Sequence, residues 1–354
     1  MLSKKVKVII NIITIFALIV LIVVSWPQIV AGLKEMGSAN WLVISLMIPL
    51  QIVNFLAIGK VYQTYFDGNH KIKTKFALKI ALELNFVNHV FPSGGVAGFS
   101  YLGIRLRDKD IRVARTTLAQ VVRFALTFIS FLIILFFGMF LLSFGSGTSG
   151  GGVALFIGLS IAFMTLFAVV VAAYIFSNEK RIKAFTAFLP KLFNFVTKPF
   201  ICGNICDEET KKEIININRI EQLFSDFHKD YMTITKDWRR LKKPFVWSLI
   251  VNISEIMTVY TAYIALGQPV NPGAVILAYS VASFAGLIAI LPGGIGVYEA
   301  LMTGVLASAG VPKALALSAT LIYRILTIVV FIPVGFILYQ IALKQNGTRL
   351  KSGV

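Results

Sequence analysis

Charge is scarce in this chain: only 14% of its 354 residues are Asp, Glu, Lys or Arg, and the 16 acids are outnumbered by 34 bases. With 57% hydrophobic residues and a mean hydropathy of +0.81, this poverty excludes a soluble enzyme and indicates a polytopic membrane protein. Histidine occurs three times and cysteine only as Cys202 and Cys206. Those two thiols with His228 fall short of the four ligands of a structural zinc site, and a cytosolic segment keeps them reduced. No metal, cofactor or disulfide is therefore expected. A phosphate loop ending Gly-Lys-Ser/Thr, His-Glu-x-x-His and Gly-x-Ser-x-Gly are all missing. Ser93 is the one candidate nucleophile, no base can be assigned to it, and the expectation is a protein that is not an enzyme. The net charge of +18 does not imply nucleic acid, because the bases stand in short clusters beside apolar runs, as they do at a cytosolic lipid surface.

What the chain has is long apolar runs. Six are long enough to span a bilayer: 8–26, 41–62, 116–142, 153–176, 244–266 and 314–342. The first follows Lys4, Lys5 and Lys7 in the manner of a signal sequence, but it ends Val24-Ser25-Trp26-Pro27 without a small-x-small cleavage site, so a retained span is expected. Thirty of the 34 bases fall on one side of the resulting topology, which makes that side the cytosol, with both termini on it and the plasma membrane as the site. Lys34 and Lys313 fall on the other side, and Arg123 and Arg324 lie inside spans.

Two further apolar stretches, 76–104 and 274–309, are interrupted by Phe91-Pro92-Ser93-Gly94-Gly95 and Leu291-Pro292-Gly293-Gly294-Ile295-Gly296. Such a break frees backbone groups that lipid cannot satisfy, so it belongs where protein packs around it or where it lines a polar cavity. Basic flanks require the first stretch to enter and leave on the cytosolic face, and the second then begins and ends outside. The expected architecture is all-α: a single integral membrane domain over 1–354, with six spans and two broken or re-entrant helical hairpins. Residues 41–142 and 244–342 form an inverted-topology repeat, and the cytosolic insert 178–243 carries amphipathic helices. A helix over 80–90 reaches about 16 Å and one over 274–291 about 27 Å, so the first hairpin fits re-entrance more comfortably.

Ionisable groups at membrane depth are few: Glu83, Arg123, Glu255, Glu299 and Arg324, with His89, Asn85, Asn88 and Gln120 nearby. Glu299 is expected to pair with Arg324, and Glu83 with Arg123. Two readings stay open: buried ion pairs that pin hairpins to helices, or arginine forks facing a polar cavity and binding a phosphate, helped by helix N-termini at the breaks. Glycines 94, 95, 98, 293, 294 and 296 admit either a headgroup or a neighbouring helix. His89 reads as an interior donor, and Glu255, beside Asn252 and Ser254, as a proton-coupling carboxylate or a packing hydrogen bond.

The segments Asn88-His89-Val90-Phe91-Pro92-Ser93-Gly94-Gly95 and Leu291-Pro292-Gly293-Gly294-Ile295-Gly296-Val297-Tyr298-Glu299 resemble the two hallmark segments of the lysylphosphatidylglycerol synthase transmembrane-region family. That family includes the flippase-like membrane part of the bacterial multiple-peptide-resistance factor. The resemblance implies a protein that translocates or handles polar lipids: anionic or aminoacylated phospholipid, or a polyprenyl-linked glycan. Unlike the full resistance factor, the chain continues only about a dozen residues past its last span, so it is not expected to make lysyl lipid by itself. The substrate-site expectation comprises Arg123, Arg324, Glu299, Glu83, Pro92, Gly94, Gly95, Pro292, Gly293, Gly294 and Gly296. The alternative expectation is a scaffold that recruits a cytosolic glycosyltransferase or lipid synthetase through the insert.

Overall fold

In hydrocarbon a backbone must satisfy its own hydrogen bonds, so long apolar runs are driven into helices. The computed structural model describes residues 4–67, 72–91, 96–109, 111–145, 151–178, 181, 232, 237–286 and 294–348. In chain order these form α1 Lys4–Met36, α2 Trp41–Ser45, α3 Met47–Phe66, α4 Thr74–Val90, α5 Val96–Leu106, α6 Val113–Gly145, α7 Gly151–Phe176, α8 Lys242–Ala265, α9 Pro272–Gly286, α10 Val297–Ser308, α11 Lys313–Ile325 and α12 Ile332–Thr348. A π-helical turn, Leu326–Phe331, joins α11 to α12. Among the described residues no strand occurs, and six helices are long and apolar enough to cross a membrane: Thr14–Met36, Trp41–Phe66, Val113–Ser143, Gly152–Ile175, Arg239–Ala265 and Lys313–Gln345. The expected all-α polytopic bundle is borne out. Large apolar side chains such as Phe156 and Phe163 are more than 70% exposed, which suits a hydrocarbon solvent.

The two interrupted stretches give the helix pairs α4–α5 and α9–α10. Helix α4 begins at Thr74, so its 17 residues reach about 25 Å rather than 16 Å. The reason is that Ala77 continues the buried stripe of Ile80, Ala81 and Leu84 while Lys75 and Lys79 stay exposed. Helix α9 reaches about 22 Å over Pro272–Gly286, and the rest of the helix expected over 274–291 lies outside the described residues. Pro92, Ser93, Gly94, Gly95, Pro292, Gly293, both cysteines and nearly all of the insert lie outside the described residues.

At the centre α3 packs along α8, where the Asn54 amide donates to the Val251 carbonyl (3.0 Å) and to Ser254 Oγ (3.3 Å). The hairpins cross over. Helix α4, from the first half of the chain, packs on α12, and α9, from the second half, packs on α6. Glycine permits the first crossing: a Cβ on Gly335 would lie 2.6 Å from the Leu82 carbonyl oxygen and 2.7 Å from Phe86 Cβ. Backbone cannot swing aside as a side chain can, so Gly335→Val is expected to cost about 1–3 kcal/mol. Gly304, with nothing within 4 Å of its would-be Cβ, is the control: Gly304→Ala is expected to be neutral or to stabilise by up to ~1 kcal/mol. Thermal unfolding of the purified variants checks both.

Candidate functional site

Helix α10 starts immediately after the second break, and the local sequence explains how. Gly296 holds φ +85°, a left-handed conformation that costs glycine little. Three residues on, Glu299 turns back so that its Oε2 accepts the Gly296 amide at 2.6 Å, one arm of a capping box. Its Oε1 accepts Arg324 Nε of α11 at 2.8 Å, with both side chains 7% exposed. One carboxylate thus ends the break and pins the hairpin to the last span, and the expected pair is present. The Arg324 guanidinium also lies 5.1 Å from the centroid of the Tyr298 ring, which stacks on Tyr323.

The first half differs from expectation. Glu83 of α4 pairs with Arg105 of α5, not with Arg123: Arg105 Nε donates to Oε2 at 2.8 Å, and the Tyr101 hydroxyl donates to the same oxygen at 2.8 Å. Tyr101 and Arg105 stand one turn apart on one face of α5, so both reach the carboxylate together. Arg105, counted in the sequence with the cytosolic bases, is buried and lies over the Phe76 ring at 4.7 Å. The correction has a simple cause: an arginine four residues from a hydrogen-bonding tyrosine on a short helix reaches Glu83 within its own hairpin, whereas Arg123 faces another helix.

Arg123, half-buried on α6, has no carboxylate within salt-bridge distance among the described residues. Its guanidinium donates to the Tyr62 hydroxyl of α3 (2.9 Å), Tyr62 donates to Gln120 Oε1 (2.6 Å), and Gln120 Nε2 donates to the Gly98 carbonyl of α5 (3.2 Å). Gly98 lies directly against the Asn88 amide at the end of α4. Asn88 Oδ1 and Asn85 Nδ2 are buried without hydrogen-bond partners. His89 Nδ1 bonds the Asn85 carbonyl (2.9 Å), as an interior donor should, and the ring lies within electrostatic reach of Arg324. The last turn of α4 therefore meets the Arg123 relay through Gly98 and lies within electrostatic reach of Arg324.

Glu255 of α8 accepts the Tyr323 hydroxyl. No cluster of three metal-binding side chains occurs among the described residues. Sequence reasoning missed Arg105, Tyr101, Tyr62 and Tyr323. The signals that could have found them were the Tyr101/Arg105 spacing and the adjacency of Tyr323 to Arg324.

Comparison with known proteins agrees with this architecture. The chain is 22% identical over 316 residues to a UPF0104 membrane protein of Pyrococcus horikoshii, covering 87% of this chain and 90% of the relative. It is 35% identical over 83 residues to a UPF0104 membrane protein of Methanothermobacter thermautotrophicus, 23% of this chain and 25% of that one. No solved structure matches. The family model described as the lysylphosphatidylglycerol synthase TM region matches residues 8–335, and the chain belongs to that family.

Proposed function

We propose that this multi-pass membrane protein is a flippase that translocates the headgroup of a polar lipid, an aminoacylated phospholipid or a lipid-linked saccharide, without chemically altering it. The headgroup travels along a polar crevice beside the two interrupted hairpins, which are re-entrant and related as inverted repeats. The protein sits in the plasma membrane with both termini in the cytosol. Arg123 holds the lipid phosphate, while Glu299–Arg324 and Glu83–Arg105 fix the hairpins that wall the crevice.

The observation that carries this reading is Arg123. A guanidinium at membrane depth is costly unless it pairs or meets water, and here its hydrogen-bonded partner is a neutral phenol. An uncompensated fork of this kind suits a phosphate. The orphaned amides of Asn85 and Asn88 supply further donors and acceptors for a headgroup. The repeat is supported by the crossed hairpin packing and by numbering: the step that carries Arg123 onto Arg324 also carries Tyr62 onto Tyr263 and Gln51 onto Asn252.

The test is reconstitution of the full chain in liposomes carrying headgroup-labelled analogues of anionic, aminoacylated and saccharide lipids in turn. Acceleration above protein-free liposomes is expected for at least one class. No acceleration for any of them overturns the proposal.

A further inference from the structure

Three carboxylates lie at membrane depth, and only two have a guanidinium: Glu83 with Arg105 and Glu299 with Arg324. Glu255, in the middle of α8, has no basic partner among the described residues. The break segments 92–95 and 287–293 contain no basic residue in sequence, so neither can supply one.

Among the described residues, the groups that meet Glu255 are neutral. From α11 the Tyr323 hydroxyl donates to Oε1. Tyr298 of α10 and Tyr279 of α9 lie within electrostatic reach. From α3 Gln51 sits beside the carboxylate with its Nε2 buried and lacking a hydrogen bond of normal geometry. The neighbouring amides are engaged elsewhere: Asn54 toward Val251 and Ser254, and Asn252 toward Thr127 and Ser130 of α6. Arg324, next to Tyr323 in sequence, is already paired with Glu299.

A carboxylate at membrane depth without a counter-charge is disfavoured as an ion, yet hydrogen-bond donors such as these hold an ionised carboxylate. The two tendencies oppose each other, which is what a group that gains and loses a proton requires. The donors also argue against a metal cation, which needs lone pairs pointed at it.

We infer that Glu255 is a proton-binding site that couples lipid movement to the transmembrane proton gradient; the inference rests on the transport reading above. A proton from one compartment adds to the Glu255 carboxylate, giving the neutral acid, and leaves to the other compartment when the carboxylate re-forms. The change is read by Tyr323, whose hydroxyl donates more weakly to a carboxylic acid than to a carboxylate. Tyr323 shares α11 with Arg324, and the π-helical turn follows at once. A π turn holds one extra residue and marks places where a helix shifts register. Pro333 stands two residues beyond this turn, and its nitrogen has no hydrogen to bond back to a carbonyl of the turn and lock its register.

The experiment uses the full chain in proteoliposomes with the labelled lipid that the wild type moves. A gradient of about one pH unit, tenfold in proton activity, is expected to change the translocation rate by up to roughly tenfold, and a protonophore to abolish the response. In Glu255→Gln the gradient response is expected to vanish. On pH change, infrared difference spectra of the wild type are expected to show a titrating carboxylic-acid carbonyl band that Glu255→Gln lacks. Should that variant fail to fold, Tyr323→Phe keeps the carboxyl and is expected to displace the midpoint of the band. Wild-type transport indifferent to the gradient overturns the coupling and leaves the transport reading standing, whereas absence of transport in the wild type overturns both. A response that persists in Glu255→Gln, a band unmoved by Tyr323→Phe, or a requirement for sodium overturns the assignment to a proton on Glu255.

Discussion

Replacing Arg324 with methionine is expected to cost about 3–5 kcal/mol of stability, because it leaves Glu299 as a buried charge with no partner. The cost is specific to this carboxylate. Glu299 also accepts the Gly296 amide that starts α10, so the lone charge can neither swing out to water nor protonate without weakening the helix entry after the break. Loss of the pair also frees α10 from α11, which pack together. Since the total stability of an ordinary domain is about 5–15 kcal/mol, the variant is expected to lose most of its folded yield and to unfold at a much lower temperature. Adding Glu299→Gln to Arg324→Met removes the uncompensated charge, and the double variant is expected to recover a large part of the loss. A double-mutant cycle on thermal or denaturant unfolding measures the coupling. If Arg324→Met unfolds within about 1 kcal/mol of the wild type, the pair does not have the role assigned to it.

That pair was legible in the sequence, and the reason is local. Gly296 and Glu299 have the spacing of a capping box, which fixes where the carboxylate points, and Arg324 is the only base within the apolar run 314–342 that follows the hairpin. The six spans were legible for a similar reason, since composition alone drives an apolar run of that length to be helical. The first half was less transparent. Five arginines follow Glu83 as far as Arg123, and choosing Arg105 among them requires knowing that Tyr101 and Arg105 share a face of α5 turned toward α4. Arg105 ends an apolar stretch next to Arg107 and Lys109, so counting flanking charge assigns it to the aqueous side. Its burial comes from packing over Phe76 and from its carboxylate, neither of which flanking charge reports. The Tyr62–Gln120–Arg123 relay joins α3 to α6, a tertiary contact that no periodicity within one helix announces.

Replacing Arg123 with glutamine is expected to do the reverse of Arg324→Met: to remove most headgroup translocation, at least about tenfold, with little loss of stability. A hydrogen bond to a charged group contributes about 1.5–3 kcal/mol, and the variant gives up the one from the guanidinium to Tyr62. Against that, it removes an uncompensated cation from membrane depth, where each charge costs several kcal/mol, and it strands no carboxylate. The two terms nearly cancel, so unfolding is expected to stay within about 1 kcal/mol of the wild type. Function should not be spared, because a phosphate loses its charged fork. Arg123→Lys is expected to restore part of the rate, since lysine keeps the charge but not the planar pair of donors. Translocation and unfolding measured on the same preparations separate the alternatives. A variant that unfolds early as well as failing to transport would make Arg123 a packing residue, and one that transports at the wild-type rate would move the phosphate site elsewhere.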